Sequence, residues 1–196
     1  MRTFVALSVP DQGPARRFLE ACRSRLEQTG GDARWTRPEQ WHITLRFIGE
    51  VPEEQLPRLF EAVQTAAAAL QPFEVALKGW GVFPERGRPR VVWAGADSIP
   101  SSDAGYRGRM LWAAHEFVYR ELSRAGVPDR RETFQPHVTL ARVKPPGDIG
   151  PLLNILRTEP PPPSAAFTAT HVTLFQSVLS PHGSIYTSLL EAPLGN

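Results

Sequence analysis

The chain has 196 residues, 41% of them hydrophobic and 21% charged. That is enough for one compact domain with a real core and is ordinary for a soluble globular protein. No apolar run approaches the roughly 20 residues of a membrane-spanning helix, and the opening Met1 to Asp11 turns polar too soon for a signal peptide. The single cysteine, Cys22, excludes an internal disulfide and a cysteine-rich zinc site and is expected as a small core residue on a helix. A cytoplasmic protein is expected. Net charge is only +2, but all of the 22 basic residues except Lys78 and Lys144 are arginines. A planar fork of donors suits phosphate. A GC-rich genome gives the same bias, so the arginines alone identify no ligand.

Residues 3–9 read as a first strand. Asp11 is placed to cap a helix running to about Thr29, with Phe18, Cys22 and Leu26 on one face, and Gly30-Gly31 stops it. Arg34-Trp35-Thr36 is a short strand. Residues 41–48 form a second strand of alternating pattern. A second helix follows, with Leu56, Leu59, Phe60, Val63 and Leu70 facing inward. Phe73 to Leu77 alternates as a strand, which Trp80 to Phe83 continues past the glycines. Arg90 to Ala94 is a strand and residues 97–105 a polar loop. A third helix covers about 106–125, and another patterned strand about 136–143. Asp148 is placed to cap a short helix carrying Leu152, Leu153 and Leu156. Phe167 to Val178 and Ser184 to Leu190 close the chain.

Two of these strands share a motif. His42-Ile43-Thr44-Leu45 and His137-Val138-Thr139-Leu140 lie 95 residues apart (137 − 42 = 95). Alternation puts each His and Thr on one face of a strand and the apolar residues on the other. The flanking elements match in order, as strand, helix, motif strand, helix, strand. This divides the chain, read as one domain over 1–196, into repeat units of about 3–79 and 90–176. Strands interleaved with helices predict an α+β fold with helices on the outer faces of the sheets.

Two imidazoles across one phosphate can divide acid and base work near neutral pH. Two hydroxyls beside them can donate to the non-bridging oxygens, where charge grows in the transition state. This scheme needs no cofactor, and the sequence has no His-Glu-x-x-His and no close set of acids and histidines. Arg46 has the parity of His42 and Thr44 and is a candidate second anion contact. Phe47 falls on the apolar face and reads as core. Trp35, Phe47 and Tyr186 are the candidates for stacking a base. His171-Val172-Thr173-Leu174 is a third copy of the motif, but it aligns with the strand at 73–79 rather than with a motif strand. His171 is therefore expected to be structural or peripheral, and His115 and His182 to be solvated.

The paired motifs, in the contexts His42-Ile43-Thr44-Leu45-Arg46-Phe47-Ile48-Gly49-Glu50 and Phe134-Gln135-Pro136-His137-Val138-Thr139-Leu140-Ala141-Arg142, resemble those of the two-histidine (2H) phosphoesterase superfamily. The nearest likeness is to the RNA 2′,3′-cyclic phosphodiesterases, once called 2′-5′ RNA ligases. Weaker matches at Arg2 to Leu7, Gly81 to Pro84, Arg90 to Trp93, Leu174 to Ser177, Gly183 and Tyr186 extend it over nearly the whole chain. The resemblance implies a duplicated two-lobe fold, each lobe an antiparallel sheet with helices outside, and an active-site cleft between the lobes. It implies hydrolysis of RNA 2′,3′-cyclic phosphate ends to 2′-phosphomonoesters without a metal, with His42 as general acid and His137 as general base; a monomer is expected. Arg142 matches an arginine that contacts phosphate in the family, although strict alternation faces it away from His137 and Thr139. The alternatives are a 2H enzyme acting on 2′-5′ linkages or small cyclic nucleotides, and a non-catalytic module that binds RNA ends.

Overall fold

The computed structural model describes residues 1–99, 109–128, 133–143, 147–180 and 183–195. Its strands are β1 (Arg2–Ser8), β2 (Ala33–Trp35), β3 (His42–Glu50), β4 (Phe73–Phe83), β5 (Val91–Ser98), β6 (His137–Val143), β7 (Ala165–Ala169), β8 (His171–Ser180) and β9 (Gly183–Pro193). Its helices are α1 (Pro14–Glu27), α2 (Leu56–Ala68), α3 (Met110–Arg124) and α4 (Gly150–Thr158). The fold is α+β. Among the described residues, no helix is long and apolar enough to cross a membrane.

All the described strands belong to one antiparallel sheet, ordered β7-β4-β5-β6-β3-β1-β8-β9, with β2 added against β6. The order is a palindrome about the β6-β3 junction: β5 answers β1, β4 answers β8 and β7 answers β9. The sheet therefore has two halves, but these are not the two repeat units read from the sequence. β4, which ends the first unit, pairs with β5 and β7 in the half built around β6. β8, which ends the second, pairs with β1 in the half built around β3. The helices cross over as well. α1 packs on β4 and β7, and α3 packs on β3 and against α2.

The core-facing residues explain these elements. Helix α1 buries Ala15, Phe18, Leu19, Cys22 and Leu26, the stripe its spacing predicts. Burial raises the Cys22 thiol to about 12, against a smaller opposite pull from Arg25. Asp11 does not cap this helix. Gly13, at φ 98°, holds the N-cap position before Pro14, and Asp11 instead sits 3.6 Å from Arg16. Asp148 does accept the Gly150 backbone N–H at the start of α4, at 2.7 Å. In β4, a bulge at Gly79, with φ 70°, joins the two segments read from the sequence. The stretch expected as one strand over 167–178 is divided at Thr170 into β7, at one end of the strand order, and β8, next to the other end. Consecutive Cα atoms are about 3.8 Å apart, so a single linking residue requires the sheet to curl until its β7 edge reaches β8. No glycine or proline marks the break.

The two halves join through one rung. Ile43 of β3 pairs with Val138 of β6, and both side chains are 0% exposed. Removing buried methyl and methylene groups costs the transfer energy and leaves a cavity. Ile43→Ala should therefore destabilise the fold by about 2–5 kcal/mol, read as a lower urea midpoint with an unchanged slope. Val178→Ala, at a position 48% exposed, should stay within about 0.5 kcal/mol of the wild type.

Candidate active site

The Ile43–Val138 rung sets the geometry of the site. Because those two residues point into the core, His42, Thr44, His137 and Thr139 project from the other face. The strands are antiparallel, so His42 lies beside Thr139 and Thr44 beside His137, exchanged about the rung. All four are half-buried.

Each imidazole is fixed in the same way. His42 Nδ1 lies 2.7 Å from the Gln40 carbonyl oxygen, and His137 Nδ1 lies 2.7 Å from the Gln135 carbonyl oxygen. A carbonyl only accepts, so Nδ1 carries the proton in both rings and Nε2 is left to exchange one. Gln40 and Gln135 share the 95-residue spacing (135 − 40 = 95). The motif thus extends upstream to Gln-x-His-x-Thr-Leu, a signal present in the sequence that the reading of the strands passed over. The Gln40 amide also donates to the Ser184 carbonyl at 2.7 Å, tying the His42 support to β9.

Aromatic rings surround both histidines. Phe4 lies 4.9 Å from His42 between centroids, and Tyr186 meets His42 edge-on at 5.2 Å. Phe83 meets His137 edge-on at 5.1 Å. Removal from water disfavours the charged imidazole. Burial is the main cause that pushes His42 down to about 4. The Gln40 hydrogen bond opposes it, and the charges of His137 and Arg142 add to it. His137 is also lowered, first by burial and then by Arg142, against the Gln135 hydrogen bond.

The two strands then bulge at matching places. Thr44 pairs with Ala6 but Arg46 with Val5, so Leu45 is the extra residue. Thr139 pairs with Trp93 but Ala141 with Val92, so Leu140 is the extra residue. A bulge reverses the facing of everything after it, and this corrects two expectations. Arg46 is not in the cleft: it is buried, Nη2 donates to the Pro128 carbonyl at 2.7 Å, and its guanidinium lies 4.2 Å over the Tyr119 ring. Phe47 is not core: it is 49% exposed and lines the cleft. The same reversal turns Arg142 into the cleft, where plain alternation did not place it.

The cleft has a volume of about 430 Å³. His42, Thr44, Phe47 and Arg142 line it, together with Arg2, Phe4, Arg34, Trp35, Arg37, Ser177, Leu179 and Tyr186. His137 and Thr139 are not among its lining residues and stand on the adjoining strand. Arg2 lies in a stretch of weaker resemblance that does not single it out, and Arg34 and Arg37 carry no sequence signal beyond the general arginine excess. His171 is exposed, with Nδ1 2.9 Å from Thr170 Oγ1, and does not line the cleft. His115 is not simply solvated. It stacks on Phe134 at 4.2 Å, and its Nδ1 lies 2.8 Å from the Leu45 carbonyl oxygen. His182 lies outside the described residues. Among the described residues, no group of three His, Cys, Asp or Glu is placed to hold a metal ion.

These shifts predict a titration. In the substrate-free protein, NMR of the imidazole Cε1–H signals should place His42 near 4 and His137 below the ordinary value of about 6.5. Arg142→Gln removes a positive charge from both and should move both upward. The sign for stability follows. A histidine lowered in the fold is protonated first in the unfolded chain, so its contribution is complete above about pH 6.5 and is lost as pH falls through the folded value. The urea midpoint should drop across that window.

Comparison with known proteins bears on the family and the fold. The sequence profile described as LigT like Phosphoesterase matches residues 9–93 and 110–186. The chain is 34% identical over 173 residues, 88% of its length and 93% of the other chain, to a protein of Aeropyrum pernix named RNA 2′,3′-cyclic phosphodiesterase. It is 33% identical over 189 residues to one of the same name in Archaeoglobus fulgidus, covering 96% of this chain and 98% of that one. A solved structure from Thermus thermophilus superposes with TM-score 0.74 at 29% identity, over 99% of this chain and 98% of the other. Escherichia coli LigT, solved with 3′-AMP, shares the fold with TM-score 0.69 at 22% identity, over 100% of this chain and 98% of the other. The chain is a member of the LigT-like phosphoesterase family.

Proposed function

We propose that this protein hydrolyses RNA 2′,3′-cyclic phosphate ends to 2′-phosphomonoesters. The observation that carries the reading is the pair of imidazoles, each with Nδ1 tied to a backbone carbonyl, on adjoining strands beside a cleft lined by Arg142. The names of its relatives support the substrate. Arg2, Arg34 and Arg37 along the same cleft extend the positive charge beyond one phosphate, which favours an RNA end over a small cyclic nucleotide. We read the chain as one domain of two repeat units acting as a cytoplasmic monomer; the palindromic strand order supports the repeat.

The reaction balances as follows. His137 Nε2 takes a proton from water, whose oxygen forms a bond to phosphorus. The P–O3′ bond breaks, and His42 Nε2 gives its proton to O3′. The 2′-phosphate and a free 3′-hydroxyl remain. Thr44 and Thr139 donate to the non-bridging oxygens, and Arg142 offsets their charge. Burial makes His42 hard to protonate, which by itself favours the opposite division of roles. The negative charge of bound substrate makes His42 an acid, because a nearby anion favours the imidazolium.

The direct test is RNA ending in a 2′,3′-cyclic phosphate, assayed in chelator. A 2′-phosphomonoester product supports the proposal. No turnover, or activity lost in chelator and restored by a divalent ion, overturns it. His42→Ala and His137→Ala should each cost on the order of 10²–10⁴ in rate. Thr44→Ala and Thr139→Ala should each cost on the order of 10²–10³, with Ser retaining much more. His171→Ala should stay within a few-fold, a small effect beside those rate factors. A substrate with sulfur in place of O3′ has a leaving group that needs no proton. It should restore His42→Ala and not His137→Ala, and the reverse pattern would exchange the roles.

The bound anion also separates two pH profiles. The profile of kcat/KM reports the free protein and that of kcat the complex. The alkaline limb, on which the acid loses its proton, should therefore lie at lower pH for kcat/KM than for kcat. Coincident limbs would mean that substrate does not raise the acid.

A further inference from the structure

We infer that His115 is a positioning residue for both motif strands: from α3 it holds the bulge of β3 and the segment that orients His137. This rests on the cyclic phosphodiesterase reading only for the reaction that reports on it. Trp112, His115 and Tyr119 follow one another at three and four residues, so their rings share one stripe of α3, the helix that packs on β3. His115 stacks on Phe134 with centroids 4.2 Å apart and planes 4° apart. Trp112 meets the same Phe134 ring edge-on at 5.9 Å. Tyr119 lies under the Arg46 guanidinium at 4.2 Å.

The two matching bulges are completed differently. A bulged residue leaves the ladder, and a buried carbonyl without a donor is costly. Leu140, the bulged residue of β6, is 0% exposed, and its carbonyl accepts the Thr36 backbone N–H at 2.8 Å. That donor directly follows β2, the strand added against β6. Among the described residues, no added strand answers β2 on the β3 side, where β3 pairs with β1 and, at one rung, with β6. Leu45, the bulged residue of β3, is 2% exposed, and its carbonyl oxygen lies 2.8 Å from His115 Nδ1. A carbonyl only accepts, so Nδ1 carries the proton. His115 thus does for one bulge what a backbone N–H does for the other.

The same ring reaches the support of His137. Phe134 directly precedes Gln135, whose carbonyl orients that imidazole. On the other side of Gln135, the Pro136 carbonyl accepts the Ala96 N–H at 3.1 Å. The Gln135 carbonyl is therefore pinned between a stacked ring and a strand bond. One side chain ties Leu45, next to Thr44, to Phe134, three residues before His137.

Three variants separate the two contacts. His115→Phe keeps a ring on Phe134 and loses the donor. His115→Asn keeps a donor near the Nδ1 position and loses the stack. His115→Ala loses both. Turnover is measured on an RNA dinucleotide ending in a 2′,3′-cyclic phosphate, with kcat and KM separated. The imidazole Cε1–H signals of the same proteins are titrated by NMR without substrate. A displacement of about 1 Å at a reacting group can cost on the order of 10² in rate. His115→Phe should lose about ten-fold or more in kcat, and His115→Ala should lose more than either other variant. In His115→Asn the loosened Gln135 carbonyl supports the imidazolium less, so His137 should titrate lower than in the wild type, with His42 unmoved. Wild-type kcat in folded His115→Phe overturns the inference, and so does an unmoved His137 in folded His115→Asn. Either result with a lower urea midpoint marks a packing role alone. If the wild type does not turn over the dinucleotide, the cyclic phosphodiesterase reading falls, and the His137 titration alone then decides the role of His115.

Discussion

One strand rung holds the site together. β3 and β6 share the single pair Ile43–Val138, and through it the two halves of the sheet become one. Both residues are fully buried, so the hydrophobic effect fixes which way they point. The facing of His42, Thr44, His137 and Thr139 then follows from the pleat alone. A slip of one residue on either strand would turn that strand's His and Thr into the core and its Ile or Val out toward the cleft. Such a slip would bury an imidazole and a hydroxyl among apolar side chains, at a cost of several kcal/mol. The core and the site therefore demand the same register.

Around that rung, two opposing influences act on the imidazoles. Aromatic walls and Arg142 disfavour their charged forms, while the Gln40 and Gln135 carbonyls support them. The carbonyls also orient the rings, since each can only accept a proton bond. The cleft sets His42 among arginines, with His137 on the adjoining strand, and burial holds both imidazoles below their ordinary range. In the proposed mechanism the charge of a bound anion raises His42, which couples binding to activation of the acid through one charge.

The sequence made much of this legible, because long-range order here repeats local order. Apolar spacing located the helices to within a few residues. The His-x-Thr repeat marked the two strands that the structure brings onto one face. What escaped was whatever breaks a period without leaving a chemical mark. Leu45 and Leu140 look like ordinary inward leucines, yet each is the bulged residue that reverses Arg46, Phe47 and Arg142. Thr170 carries no turn chemistry, yet it sends the chain from one end of the strand order toward the other. The upstream Gln residues act through their carbonyls, which any residue possesses, so only the spacing could point to them.

The palindromic strand order has one more consequence. β4 and β8 each complete the half of the sheet that belongs to the opposite repeat. Two separate copies of one repeat could build this sheet only by trading their last strands, and both would bring the same side chain to each equivalent place. Their cleft would be symmetric and indifferent to which end of a ligand entered first. Joining the copies covalently releases that constraint. A change at position 47 no longer forces the same change at 142, and a cleft with two unlike ends becomes accessible to single substitutions.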